Sequence, residues 1–335
     1  MEMCNIASPE ECTVTSAGKA VRERLTKKGM LEFQPVTLET VAQLSPYFAR
    51  QPYRTCDFTV GGLFMWAPYF NYEYAIYRDT LFIKGSEEEH MQVTSFALPV
   101  GALPPGESLT VLARYCLDRQ MPLVLSAVPE DAALELQRDF SGKTEALRDW
   151  GDYLYEAQAL AELPGRKYNK KRNHVNKFRS TWPDFEYVRI DERNRREAAA
   201  FFREFRQTVE KSTPLFEYEE SMVKVVLDAY DRLGFEGALL KADGKAVALT
   251  VGEVVRDTLF VHIEKGLRAY DGVYETINQA FVRDISERYS QVAYVNREED
   301  VGDVGLRQAK LSYNPVAVLN KYNVSVEIEN VYRAG

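Results

Sequence analysis

The chain has 335 residues, and its 42 Lys and Arg against 50 Asp and Glu give a formal net charge of −8. No apolar run approaches the ~18 residues of a membrane-spanning helix, and residues 1–29 lack the apolar segment of a signal peptide. We therefore expect a cytoplasmic protein that at most touches a membrane surface. The 4 cysteines have no CxxC spacing and there are only 3 histidines, which predicts neither disulfides nor a metal site.

The length favours two domains, each with its own core. Residues 1–29 show no sustained apolar period and are predicted to be a disordered tail. Residues 30–150 are predicted to form a first domain that mixes a sheet with helices. Its predicted elements are the helix 37–50, the hairpin 72–84, the helix 108–119, the strand 123–127 and the helix 130–139.

Residues 151–335 are predicted to form a second domain around an antiparallel meander, because Asp243-Gly244 separates two alternating apolar runs. The predicted order is strand 185–190, helices 193–209 and 221–233, meander strands 238–242, 246–255 and 258–265, helix 273–288, strand 291–296 and helix 303–313. This order resembles the GNAT acyltransferase fold, which the first domain follows more loosely. We therefore predict an α+β fold with mixed sheets in two tandem GNAT-like domains.

The stretch 165–180 is the most unusual of the chain, because residues 166–179 hold seven Lys or Arg, one His and no acid. On a helix of about 100° per residue, lysines and asparagines fall on separate sides and almost no apolar stripe remains, so something other than core packing should hold the helix. The pattern predicts a docking surface for phosphate of a tRNA, CoA or an anionic phospholipid. The alternative is a solvated basic face. The predicted binding residues are Lys167, Lys170, Lys171, Arg172, Asn173, His174 and Asn176.

Candidate catalytic residues lie in the strand 258–265 and after the strand 291–296. Strict alternation puts His262 and Glu264 on one sheet face, which suggests a general base for an attacking amine or hydroxyl. The alternative is a polar face satisfied by neighbouring strands. Lys310 falls on the inward arc of its helix, where it would stabilise an oxyanion or form a structural salt bridge. Arg297, Glu298 and Asp300 are further substrate-binding candidates, since they follow a strand end.

Arg268 to Gly272 open the helix after the meander and faintly resemble the loop of GNAT enzymes that binds the pyrophosphate of acetyl-CoA. The acidic run after residue 297 lacks the ligand spacing of a calcium loop, so we expect it to form salt bridges.

Four motifs together, KYNKKRNHVNKF, VHIEKG, VYETINQAF and YVNREEDVGDVGLRQAKLSYNP, resemble a bacterial family related to the cytosolic C-terminal domain of phosphatidylglycerol lysyltransferase. That group is similar in fold to the Fem-type peptidoglycan aminoacyltransferases, which have two tandem GNAT domains. The match covers most of residues 30–325 in motif order. The resemblance implies transfer of an aminoacyl group from aminoacyl-tRNA to a lipid or amine, with Lys310 holding a phosphate or an oxyanion.

The first hypothesis is therefore a GNAT-type aminoacyltransferase in which the acceptor attacks the donor directly. A second hypothesis within enzymes is a CoA-dependent N-acetyltransferase that uses acetyl-CoA. The third, from another class, is a non-catalytic protein that binds RNA or phospholipid through the basic helix alone.

Overall fold

Two β-sheets form the framework of the computed structural model, which describes residues 31–87, 92–210 and 212–334. Each sheet contains parallel and antiparallel strand pairs, and helices cover the sheets. The predicted α+β fold with mixed sheets is confirmed. The predicted tail 1–29 lies outside the described residues.

The eight strands of the first sheet are β1 (Gln34–Pro35), β2 (Glu73–Tyr77), β3 (Thr80–Ser86), β4 (Thr94–Phe96), β5 (Val100–Gly101), β6 (Leu123–Pro129), β7 (Lys143–Ala146) and β15 (Lys321–Val326). Their order is β1-β2-β3-β4-β6-β15-β7, with β5 paired to β3. Only β4 and β6 run parallel to each other among these pairs.

The seven strands of the second sheet are β8 (Asp152–Glu156), β9 (Glu186–Arg189), β10 (Glu236–Ala242), β11 (Lys245–Val255), β12 (Thr258–Gly266), β13 (Tyr294–Asn296) and β14 (Ala317–Leu319). Their order is β14-β8-β13-β12-β11-β10-β9. The strands β10 to β12 confirm the predicted meander. Asp243 and Gly244 have φ of 50° and 72°, the left-handed conformation that a tight hairpin turn requires.

The helices are Val41–Phe48, Val60–Phe70, Pro105–Arg119, Glu130–Phe140, Ala157–Glu162, Asn169–Thr181, Arg195–Gln207, Pro214–Asp228, Tyr230–Leu233, Val273–Arg288, Val304–Leu311 and Ile328–Ala334. The predicted helix 273–288 matches the observed bounds at both ends. The order of helices and strands from β9 to Val304–Leu311 is the predicted one with one exception: the predicted helix 221–233 is divided into Pro214–Asp228 and Tyr230–Leu233.

The two C-terminal strands belong to different sheets, although residues 151–335 were predicted to form one domain. Only Asn320 lies between β14 and β15, yet β14 pairs with β8 of the second sheet and β15 pairs with β6 and β7 of the first. The final helix, Ile328–Ala334, packs on two helices of the first half. The chain therefore returns to its first sheet, and residues after 320 do not belong to the second one.

The second sheet has a different core on each face. On one face, Leu249 and Ile263 share a hydrophobic core with Phe64 and Met65 of the first half. On the other face, Leu259 and Val261 pack on the helix Val273–Arg288. The first core joins the two halves of the molecule, and both faces contribute to the site described next.

Candidate active site

A β-bulge interrupts β12 at His262. In the pairing with β11, Val251 is opposite Ile263 and Gly252 is opposite Val261, so His262 is an extra residue. A bulge breaks the regular alternation of side chains along a strand. Val261 therefore packs in the core on one face of the sheet, whereas Ile263, two residues later, packs in the core on the opposite face.

The bulge places His262 and Glu264 on opposite faces of the sheet. The His262 ring lies 5.6 Å from the ring of Phe235, in the core that joins the two halves. Glu264 instead accepts a hydrogen bond from Asn278 of the helix on the other face, at 3.0 Å. The prediction that the two residues share one face was wrong, because strict alternation does not hold across an extra residue.

The ring of His262 lies between two carboxylates. Its Nδ1 is 2.7 Å from Oε1 of Glu298 and its Nε2 is 2.9 Å from Oε1 of Glu253. Burial alone would lower the pKa of the imidazole, but the hydrogen bonds to both carboxylates outweigh burial and raise the pKa of His262 to about 10. The ring is thus an imidazolium at neutral pH, with both N–H groups donated. An imidazolium has no free nitrogen to accept a proton, so His262 in this state does not fit its predicted role as a general base.

Glu253 extends this contact to the first half of the chain. Its Oε1 also accepts a hydrogen bond of 2.6 Å from the backbone N–H of Gly61, in the first turn of the helix Val60–Phe70, where a negative charge is stabilised. A Cβ at Gly61 would lie 2.2 Å from the Phe235 ring, so only glycine permits the approach. His262 and Glu253 therefore link the two halves of the molecule.

Both carboxylate oxygens of Glu264 are engaged. Oε1 accepts a hydrogen bond of 2.6 Å from Nη2 of Arg297, and Oε2 accepts the one from Asn278. The Arg297 guanidinium lies 4.6 Å from the centre of the Tyr313 ring. Glu264 and Arg297, predicted to act as a base and to bind substrate, are instead partners in a buried salt bridge.

Lys310 is the only fully buried residue of the helix Val304–Leu311. Its ammonium donates hydrogen bonds to the backbone carbonyls of Arg297 and Glu299. Burial, together with the charge of Arg297, lowers the pKa of Lys310 to about 8. Lys310 has no carboxylate in salt-bridge contact among the described residues, so the alternative interpretation, a structural salt bridge, is not supported.

Lys310 lies where β12 and β13 separate. The two strands pair only from Thr258 to Phe260 and from Tyr294 to Asn296, while β12 continues to Gly266. The residues that follow β13 hold the Lys310 ammonium through their carbonyl groups.

Asp300, another predicted binding residue, is buried in a salt bridge. Its carboxylate accepts hydrogen bonds from Arg307 at 2.7 and 2.8 Å and from the Tyr153 hydroxyl at 2.6 Å. Burial would raise its pKa, but these hydrogen bonds outweigh burial and lower the pKa of Asp300 to about 2. Glu298, another predicted binding residue, is likewise engaged within the protein, because its carboxylate accepts a hydrogen bond from the His262 ring.

The basic stretch forms a short 3₁₀ turn, Arg166–Tyr168, and the helix Asn169–Thr181. We call the helix Asn169–Thr181 the basic helix. The prediction that this stretch lacks an apolar stripe was wrong, since Tyr168, Val175 and Phe178 are 1%, 2% and 0% exposed. Phe178 packs in a core with the helix Val273–Arg288, so core packing does hold the basic helix.

Three of the predicted binding residues are engaged within the protein. The Lys171 ammonium lies 3.1 Å from Oε1 of Glu275. Arg172 donates to the carbonyl of Gly165 at 2.6 Å, and Nδ1 of His174 lies 3.3 Å from Asp271.

The other predicted binding residues point to solvent. Lys167, Lys170, Asn173 and Asn176 are exposed, and their side chains make no hydrogen bond or ion pair within the described ranges. Lys177, outside the predicted set, is exposed and unpaired in the same way. The solvent side of the basic helix therefore carries free cations and amides.

The loop resembling a pyrophosphate site is covered at one end. A Cβ at Gly272 would lie 2.1 Å from the carbonyl oxygen of His174, so the basic helix packs directly on the start of the helix Val273–Arg288. Glu275 in the first turn of that helix already supplies the negative charge that a helix N-terminus favours, and this carboxylate is paired with Lys171. Arg268 is exposed. The arrangement does not fit the predicted binding of CoA pyrophosphate at this helix end.

Sequence reasoning missed a buried ionic cluster around Lys321. Its ammonium lies 2.9, 2.8 and 2.7 Å from carboxylate oxygens of Asp152, Asp57 and Glu299, and its side chain is 1% exposed. The backbone N–H of Cys56 donates to Asp152 at 2.6 Å. No sequence signal marked Lys321, because a lysine in a short strand is usually exposed.

The cluster also tests the expectation that the chain has no metal site. Ligand atoms of Cys56, Asp57 and Glu299 lie within 4.8 Å of one another. The Lys321 ammonium lies among them, 3.4 Å from the Cys56 sulfur, and supplies the positive charge that these groups need. The donor set is therefore a salt-bridge cluster rather than an arrangement that fits a metal ion.

Comparison with known proteins identifies the family. A family model described as phosphatidylglycerol lysyltransferase, C-terminal, matches residues 48–325. An uncharacterized protein of Mycoplasmoides gallisepticum is 22% identical over 176 residues, which are 52% of this chain and 56% of that protein. This chain thus spans only about half the length of that relative. No helix of the described residues is long and apolar enough to cross a membrane.

Solved structures show the same fold. A conserved protein of unknown function from Bacteroides thetaiotaomicron is 30% identical, with a TM-score of 0.80 over 89% of this chain and 100% of that one. The C-terminal domain of a putative lysylphosphatidylglycerol synthetase from Agrobacterium fabrum has a TM-score of 0.61 at 12% identity, over 88% and 94% of the two chains. FemX has a TM-score of 0.60 at 9% identity, over 90% and 99%.

Proposed function

This chain belongs to the family of phosphatidylglycerol lysyltransferase C-terminal domains, and from that premise we propose that it is an aminoacyltransferase. It takes the aminoacyl group of an aminoacyl-tRNA and transfers it to a lipid or an amine. The hydroxyl or amine of the acceptor attacks the ester carbonyl directly, the bond to the ribose oxygen of the tRNA breaks, and the proton of the acceptor ends on the released tRNA hydroxyl. Without a covalent enzyme intermediate, catalysis comes from holding the reactants together and from stabilising charge.

The observation that most supports this proposal is the contact of the basic stretch, residues 166–181, with Tyr313, which follows Lys310 by three residues. The Tyr168 hydroxyl donates to the carbonyl of Tyr313 at 3.0 Å, and the Lys171 ammonium lies 3.9 Å from the centre of the Tyr313 ring. The exposed cations Lys170 and Lys177 thus belong to the helix that packs against Tyr313, and Lys167 lies in the turn just before that helix. A polyanionic donor bound along the helix would lie close to Lys310.

In this proposal Lys310 stabilises the negative charge that develops on the ester carbonyl oxygen. Its ammonium donates to two backbone carbonyls and lies 5.8 Å from the centre of the Tyr153 ring, and no carboxylate among the described residues forms a salt bridge with it. A nearby anion would therefore gain a favourable charge interaction without competing with a carboxylate. His262, as an imidazolium between Glu253 and Glu298, positions the bulge. It is not assigned the role of base.

The two alternative hypotheses receive less support. Glu275 in the first turn of Val273–Arg288 and the packing of His174 on Gly272 argue against docking of CoA at the helix end. A non-catalytic RNA- or phospholipid-binding protein would use the exposed cations of the basic helix. Such a protein would not require the buried Lys310 ammonium at the point where β12 and β13 diverge.

The test is an assay of transfer. The full chain is incubated with radiolabelled aminoacyl-tRNA and with either anionic phospholipid vesicles or a soluble amine, and the label in lipid or amine product is counted. We expect labelled product with wild type and at least ~100-fold less with Lys310→Met, by analogy with the loss of one oxyanion-stabilising donor. Lys245→Met, at an exposed hairpin position, is the matched control. Absence of any transfer, together with thermal stabilisation by acetyl-CoA, would contradict the proposal.

A further inference from the structure

Exposed apolar side chains concentrate around the helix Val304–Leu311. Of the eight large hydrophobic side chains that are exposed among the described residues, five lie between residues 301 and 316. We call these five the apolar patch, and their exposed fractions run from 39% to 63%: Val301, Val304, Leu306, Leu311 and Val316. Single exposed apolar residues are normal on a protein surface, whereas a group of them in one place marks a site of interaction.

The helix at the centre of the apolar patch directs apolar side chains to solvent. Val304 and Leu311 are seven residues apart, which is about two turns, so they lie on the same side of the helix. Val301 precedes the helix and Val316 follows it. A surface helix ordinarily turns its apolar side to the protein core, but this helix buries only Lys310. Its apolar side is therefore available to a partner.

Exposed cations lie beside the C-terminal end of the apolar patch. Tyr313 belongs to the same segment as the patch, and its carbonyl accepts the hydrogen bond of 3.0 Å from the Tyr168 hydroxyl. Arg166 and Lys167 directly precede Tyr168 and are exposed, and the Lys167 ammonium lies 5.2 Å from the centre of the Tyr168 ring. The single acid of residues 301–316 is Asp303, which accepts a hydrogen bond of 2.7 Å from the backbone at the start of the helix.

We propose that the apolar patch, together with Arg166 and Lys167, is a docking surface for an anionic lipid membrane. The aliphatic side chains enter the boundary between head groups and acyl chains, and the two cations lie against the negative head groups. Apolar burial on this scale gives only reversible binding, so the electrostatic attraction is the second signal that a stable attachment needs. Docking brings lipid to the helix that carries Lys310, but it does not require that the chain transfers a group to that lipid.

The charge beside the apolar patch favours a lipid surface over a second copy of the chain. Two copies that paired through this patch would form a two-fold interface, in which the same surface meets itself. The basic stretch 166–179, which has no acid, would then lie close to its own counterpart, and like charges across an interface are unfavourable. An anionic membrane instead offers negative charge to the cations and an apolar layer to the patch.

Two substitutions remove the apolar part of the surface without a change of charge. Val304→Ser combined with Leu311→Ser alters side chains that are 63% and 46% exposed, so the fold should lose little stability. The matched control is Leu134→Ser combined with Val225→Ser. These two side chains are 58% and 41% exposed and belong to other helices, Glu130–Phe140 and Pro214–Asp228.

The electrostatic part of the surface has its own pair of variants. Arg166→Gln combined with Lys167→Gln removes the two cations beside the patch. Arg203→Gln combined with Lys245→Gln removes the same charge at other exposed sites and is the control.

Co-sedimentation of the full chain with lipid vesicles measures docking. The vesicles contain phosphatidylcholine alone, or phosphatidylcholine mixed equally with phosphatidylglycerol or with phosphatidylserine. We expect wild type to bind the two anionic mixtures alike and phosphatidylcholine more weakly, with binding that falls as the salt concentration rises. Val304→Ser with Leu311→Ser should bind about 100-fold more weakly, about tenfold for each apolar side chain. Loss of the two cations should weaken binding to the anionic mixtures by about fivefold for each cation.

The outcomes separate the docking surface from its rivals. If wild type does not bind anionic vesicles, or if the paired serine variant binds them as wild type does, the docking surface is wrong. Binding to phosphatidylglycerol but not to phosphatidylserine would also overturn it, because it would indicate recognition of one head group. A dimer in analytical ultracentrifugation that the paired serine variant abolishes, with no vesicle binding by wild type, would assign the patch to a second copy.

The result is also separable from that of the proposed function. Vesicle binding that the paired serine variant loses, with no transfer by wild type to lipid or amine, would support the docking surface and contradict the proposed function. Transfer to lipid in vesicles by the paired serine variant at the wild-type rate would overturn the docking surface while the proposed function stands.

Discussion

Lys321 and Asp152 form an ion pair of 2.9 Å in which the side chains are 1% and 0% exposed. Lys321 begins β15 of the first sheet and Asp152 begins β8 of the second, so the pair joins the two sheets. Asp57 and Glu299 add their carboxylates to the same ammonium. One buried positive charge thus holds three carboxylates together where the two sheets meet, in addition to the hydrophobic core that joins the two halves.

Replacing Lys321 by Met should lower the free energy of unfolding by about 3–5 kcal/mol, because removing one partner leaves buried carboxylates without compensation. Urea denaturation at pH 7 measures this loss. Lys245→Met, at an exposed site, should change the stability by less than about 0.5 kcal/mol. If Lys321→Met lowered the free energy of unfolding as little as this control does, the ionic cluster would not contribute to joining the sheets.

Asp152 should make stability depend on pH. Burial, only partly offset by Lys321, raises the pKa of Asp152 from 3.8 to about 7. Between these values the folded state holds a proton that the unfolded state has lost, so the free energy of unfolding should fall as pH rises from about 4 to 7. Asp152→Asn should flatten this part of the curve in urea denaturation at pH 5, 6 and 7. Parallel curves for the two proteins would show that Asp152 is ionised throughout.

His262 should contribute in a higher pH range. Its pKa is raised from 6.5 to about 10 because the hydrogen bonds to Glu253 and Glu298 outweigh burial. Its stabilising contribution is fully present below pH 6.5 and is lost as the pH rises through 10. His262→Gln should therefore remove part of the fall in stability between pH 7 and 9.5, whereas His174→Gln, at an exposed site, should not. An unaltered slope in His262→Gln would mean that the ring is neutral.

Lys310 should impose an upper pH limit on transfer. Its pKa is lowered to about 8, mainly by burial, so the ammonium loses its proton above that pH. We expect the single-turnover rate of wild type to fall as the pH rises from 7.5 to 9, and the residual rate of Lys310→Met to lack this fall. A wild-type rate that is level across this range would remove Lys310 as the charge stabiliser.

The free cations of the basic helix should set the salt dependence of tRNA binding. Lys170→Glu combined with Lys177→Glu should weaken binding and reduce the slope of log affinity against log salt by about 0.7–0.9 for each phosphate that the helix no longer neutralises. Filter binding at several salt concentrations measures both quantities. Arg203→Glu combined with Lys245→Glu changes the net charge equally at other exposed sites. If both pairs behaved alike, the basic helix would not be the docking surface.

The basic helix shows where sequence patterns were insufficient. Tyr168, Val175 and Phe178 are spaced by seven and three residues, a spacing that fits one side of a helix. The many lysines between them concealed this stripe, and Lys171 was predicted to bind phosphate although its ammonium reaches Glu275. Only the packing of the helix Val273–Arg288 shows which side is covered.

The sequence by itself determined the meander, the bounds of the helix Val273–Arg288, the element order of the second half and the family, because periodicity, turn residues and motifs are local properties of the chain. The tertiary structure alone decided that His262 sits in a bulge, that β15 returns to the first sheet and that Lys321 is buried among carboxylates. Each of these outcomes depends on residues far apart in sequence, since a strand's register and the partner of a buried charge are set by what packs against them.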